Sequence, residues 1–128
     1  MDSREFHRLV AEACARIPTR FRRRLRNVAI LVEAEPSPAQ LARGGVPRGG
    51  TLLGLYEGRP LPTRSVFEPY AMPDRIVIFQ GPHERLAHSP EHLKRMVDET
   101  VWHEVAHYFG LNELEVRAAE RRRRHGAS

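Results

Sequence analysis

The stretch "VWHEVAHYFGLNE", residues 101–113, decides how the rest of the chain is read. His103 and His107 stand four residues apart, Glu104 directly follows the first, Gly110 interrupts, and a further carboxylate, Glu113, comes three residues later. On an α-helix, residues i and i+4 share a face about 6 Å apart along the axis, from which two imidazoles can converge on one cation. Glu104 is turned about 100° from His103, which sets it beside such an ion rather than on it. There a carboxylate can take a proton from water held by the ion. Catalytic zinc normally takes three protein ligands and leaves one position open. Gly110 lets the chain turn after the helix, so that Glu113 can swing back as the third ligand; a longer turn would present Glu115 instead. The bland alternative is a helix that carries this pentapeptide by chance, its histidines in solvent and Glu104 paired with an arginine. The helix start upstream, the glycine stop and the carboxylate at the third position favour the metal.

Working outward, Ser89 as N-cap, Pro90 at the first helical position and Glu91 and His92 in the first turn predict the start of the longest helix. Leu93, Met96, Val97, Val101, Val105 and Phe109 follow at helical spacing, and Gly110 ends it. Trp102, Val105, Ala106 and Phe109 are expected in the core, not in a substrate pocket. A second helix is predicted from Asn112 to about Arg123, with Leu114 and Ala118 inward. At the other end, "SREFHRLVAEACARI" (3–17) offers Ser3 as a cap and an apolar stripe of Phe6, Leu9, Val10, Ala13, Cys14 and Ile17, closed by Pro18.

Between these helices, "NVAILVEAE" (27–35) and "DRIVIFQG" (74–81) are continuous apolar runs rich in β-branched residues, which predict strands covered on both faces. "TLLGLYEG" (51–58) predicts a strand broken by Gly54. Gly54 and Gly58 permit either close approach of another backbone to the strand or a bulge and a turn. "PSPAQLARGGVPRGG" (36–50), with three prolines and four glycines, admits one helical turn at most. A short strand is expected around Ser65–Phe67. Tyr56, Tyr70 and Tyr108 are the candidates to stabilise an oxyanion.

Length and composition bound the remaining classes. A chain of 128 residues, 41% hydrophobic and 29% charged, predicts one globular domain over 1–128, its core about 3–116 and a basic tail about 117–128. No apolar run is long enough for a signal peptide or a membrane span, and Cys14 is the only cysteine, so the expectation is a cytoplasmic protein without an internal disulfide. The net charge of +5 comes from 20 arginines and one lysine against 16 carboxylates. "RFRRRLR" (20–26) reads as a solvated face with Phe21 and Leu25 inward, and "RRRRH" (121–125) as a terminal tail open to nucleic acid, although that partner is not favoured.

The order of blocks "REFHRLVAEACARIP", "VEAEPSP", "GTLLGLYEG", "PDRIVIFQGP" and "VWHEVAHYFG" resembles the minimal zincin-like metallopeptidases of bacteria over roughly residues 3–116. The resemblance implies an α/β (α+β) fold: an N-terminal helix, a small twisted mixed sheet, an active-site helix and a short C-terminal helix. It also implies one Zn2+ ion held by His103 and His107, catalysis by Glu104, and a peptide or protein substrate. The family commonly has an aspartate where this chain has Glu113, one methylene longer, so the backbone must stand further from the ion. Two alternatives stay open: a zincin fold that binds a partner without catalysis, and a metal-dependent RNA hydrolase of the pattern H-x3-H-x5-H. Glu104 and the carboxylate in place of a third histidine count against the second.

Overall fold

The computed structural model describes residues 1–26, 28–58 and 74–111, together with Leu114, Ala118 and Arg121. Five helices and three strands lie wholly within the described residues, in the order α1 (Ser3–Ala15), α2 (Thr19–Arg22), β1 (Val28–Glu33), α3 (Pro38–Arg43), β2 (Gly54–Glu57), β3 (Asp74–Phe79), α4 (Gln80–Leu86) and α5 (Pro90–Tyr108). The fold is α+β, as the sequence predicts. The expected strand at Ser65–Phe67 and the bounds of the helix after Gly110 lie outside the described residues.

The sheet has the order β1-β3-β2, with β1 parallel to β3 and β2 antiparallel to it. Alternation along β3 separates two apolar layers. Ile76 and Ile78 face the helices and join Phe6, Val10 and Ala13 of α1, Ile17 just beyond it, and Leu93, Val97, Val101, Trp102 and Val105 of α5. Val77 and Phe79 face the other way and pack with Leu55, the cross-strand partner of Val77. β3 is therefore covered on both faces. β1 is not: among the described residues it pairs only with β3, its positions are half-buried, and Leu31 is 37% exposed. Its apolar run reflects one face on the core and the edge of a small sheet, and this corrects the expectation of burial on both faces.

Local chemistry sets the helix ends. Asp2, not Ser3, caps α1 by accepting from the Glu5 amide at 2.9 Å. Ser89 caps α5 with Pro90 at its first position, as read from the sequence. Gly110 takes φ 71°, a left-handed conformation open to glycine at little steric penalty, and ends the α5 region. Two elements exceed the sequence reading. α3 runs six residues because Ser37 and Gln40 form a capping box, and the buried Gln40 amide also donates to Glu33 and Glu57, tying α3 to β1 and β2. α4 replaces the expected strand end at Gln80–Gly81; Pro82 sits in its first turn, where no backbone donor is needed. Leu114 is 73% exposed rather than inward and is not among the residues packed on the core.

Candidate metal centre

α5 lies across the sheet with one side in the core and the other carrying the polar stripe. Trp102, Val105 and Ala106 are buried, as expected of core residues, and Trp102 meets Phe21 edge-on at 5.2 Å between ring centroids. His103 and His107 emerge half-buried on the opposite side, with ring centroids 4.6 Å apart and planes at 62°. Glu104 is 6% exposed, and its carboxylate reaches His107 Nδ1 at 3.5 Å. One potential ligand atom from each of His103, Glu104 and His107 falls within 4.8 Å of the others. A zinc ion with bonds of about 2.1 Å sets its ligands roughly 3.5 Å apart, so modest rotation of the two histidine side chains lets them converge on one ion. Two imidazoles are donors that suit zinc, and the Glu104 carboxylate stands close enough to act beside the ion. Glu113 and Glu115 lie outside the described residues.

The sheet builds the other wall. Gly54 pairs with Ile78 and faces α5, where a Cβ would stand 2.7 Å from Thr100 Cγ2 and 3.2 Å from Glu104 Cγ. The close approach that this glycine allows is thus to the protein's own helix, not to a substrate. Gly54→Ala should lower stability by about 1–3 kcal/mol through overpacking, read as a reduced urea midpoint, and should push Glu104 away from its place beside the histidines. Gly58 ends the strand with φ 154°, beside the Asp74 carboxylate.

An open cavity of about 500 Å³ follows the helix from His103 and Glu104 past Thr100 to Met96, with Leu52 and Gly54 on its far side. The sequence places Met96 in the apolar stripe of the helix and does not single out Thr100. Both could have been found by extending the stripe from Glu104 in steps of four. Two of the tyrosines considered for an oxyanion point elsewhere: the Tyr108 hydroxyl donates to the Arg26 carbonyl at 3.1 Å, and that of Tyr56 to the Asp74 carboxylate. Tyr70 lies outside the described residues.

His83 was missed as well, because nothing in its local sequence marks it. It is fully buried on α4; Nδ1 donates to the Phe79 carbonyl at 2.7 Å, and Nε2 meets Thr100 Oγ1 at 2.9 Å. Burial pushes its pKa below the ordinary 6.5, against the opposing pull of the Phe79 and Met96 carbonyls. A lowered folded-state value means that the neutral ring's contribution is intact above the unfolded pKa and is lost as pH falls through the folded one. Thermal melts should therefore show stability falling below about pH 6.5, and His83→Gln should flatten that slope.

The sequence profile of the zincin-like metallopeptidases matches residues 25–123. The chain belongs to this family. A solved structure similar to this zincin is a conserved hypothetical protein from Thermo thermophilus, 26% identical, covering 93% of this chain and 99% of its own, with a TM-score of 0.55. None of the curated proteins matches this zincin. Among its described residues no helix is long and apolar enough to cross a membrane.

Proposed function

We propose that this zincin is a zinc-dependent peptidase, a reading carried by one observation: His103, Glu104 and His107 cluster at the end of an open cavity. His103 and His107 would hold the ion, with Glu113 as the third ligand from beyond the helix. A bound zinc supplies Lewis acidity toward the scissile carbonyl and lowers the pKa of water. Glu104 accepts the proton of the attacking water on its carboxylate and passes it to the leaving amine. Its nearly complete burial between α5 and β2 restricts its motion and keeps bulk water from one side of the carboxylate. The substrate lies extended along the Thr51–Gly54 segment, which borders the cavity opposite the helix.

Metal analysis tests this reading first. Zinc should remain at one equivalent after dialysis and fall to background in His103→Ala, because two remaining ligands hold the ion far more weakly than three. Retention of zinc by the parent without cleavage of any peptide in a mixed library would instead support a zincin that binds without catalysis. Zinc retained in full by His103→Ala would place the ion elsewhere.

A further inference from the structure

The cavity extends past the groups needed for hydrolysis, and its far part has a character of its own. Leu86 forms one edge and is 47% exposed. Met96 and Leu52, both half-buried, continue the apolar wall. At the exposed rim stands Glu99, one helical turn before His103 and therefore about 6 Å from it along the axis. Among the described residues Glu99 makes no ion pair, and the lining carries two carboxylates, Glu99 and Glu104, with no arginine or lysine.

Apolar walls with one carboxylate at the wet end match a side chain that is aliphatic along its stem and cationic at its tip. We propose that this cavity takes the substrate side chain next to the bond under attack, and that Glu99 makes it select arginine or lysine there. The proposal rests on the peptidase reading above. An extended arginine spans about 6 Å from Cα to guanidinium, which carries its head from beside His103 to Glu99. An unbranched neutral chain gains the walls but not the partner, and an acidic chain meets like charge. Because Glu99 is exposed, its pairing is screened, and the preference for a cationic chain over a neutral aliphatic one is about threefold to fivefold. It should shrink as salt is raised.

Calorimetry on the zinc-loaded full chain tests this with three succinyl hydroxamates, which grip a metal ion and present a guanidinobutyl, an n-butyl or a carboxyethyl side chain beside it. The expected order of affinity is guanidinobutyl, butyl, carboxyethyl. Glu99→Gln should bring the first two together while leaving butyl affinity and zinc content unchanged, and Glu99→Arg should favour the carboxyethyl compound. Equal affinity of all three for the parent, or a cationic preference that survives in Glu99→Gln, overturns the role of Glu99 while the metal site stands. Zinc retained with no hydroxamate bound overturns the open metal site itself, and the side-chain pocket with it.

Discussion

Replacing Glu104 by glutamine should lower peptide turnover by about 10²–10⁴-fold, the range that a positioned general base contributes, and should leave the zinc content unchanged. Glutamine has the shape of glutamate, so packing against Gly54 and Thr100 is kept, while the amide cannot accept the proton of the attacking water. The paired readout separates roles. Loss of both metal and activity would make Glu104 a ligand, which the close grouping of His103, Glu104 and His107 allows in distance alone. A variant as active as the parent would sink the mechanism. Single-turnover cleavage of a fluorogenic peptide, with zinc measured on the same sample, reads the two quantities together.

The second large effect is on stability. Trp102→Ala should reduce the free energy of unfolding by about 3–5 kcal/mol, a large share of the roughly 5–15 kcal/mol typical of a domain. Trp102 is 1% exposed and lies against Phe21, which in turn meets Phe109 at 5.4 Å, so its removal opens a cavity between α2 and the end of α5. Because Trp102 points into the core on the side of the helix away from the histidine pair, the folded fraction should still bind zinc at low temperature. Chemical denaturation gives the first quantity and metal titration of the folded protein the second. A stability change below about 1 kcal/mol, the centre of the range for ordinary substitutions, would mean that the ring is not part of the core.

How much of this could be read in advance depended on whether the signal was local. The start of α5 was legible because capping acts within four residues: Ser89 accepts from the His92 amide, and Pro90 needs no partner for its nitrogen. The grouping of His103, Glu104 and His107 was legible for the same reason, since helix geometry alone brings them together. The burial of β1 was not, because an apolar run reads the same in a central strand and in an edge strand with one face on the core. α4 was hidden by Gly81 and Pro82, residues that mark turns in most settings and here open a helix after β3.

By itself, then, the sequence determined α1 and α5, the grouping of two imidazoles with a carboxylate on α5, and the glycine that stops that helix. Each follows from interactions between residues near in the chain, whose geometry the backbone sets. Only the tertiary structure decided that Gly54 lies under Glu104 and Thr100, that His83 is buried against Thr100, that Tyr56 and Tyr108 turn away from the metal centre, and that Leu52, Leu86 and Met96 share a cavity with Glu99. Those juxtapositions join segments tens of residues apart. They are set by which apolar faces pack together, a choice made by the whole core rather than by any one stretch of it.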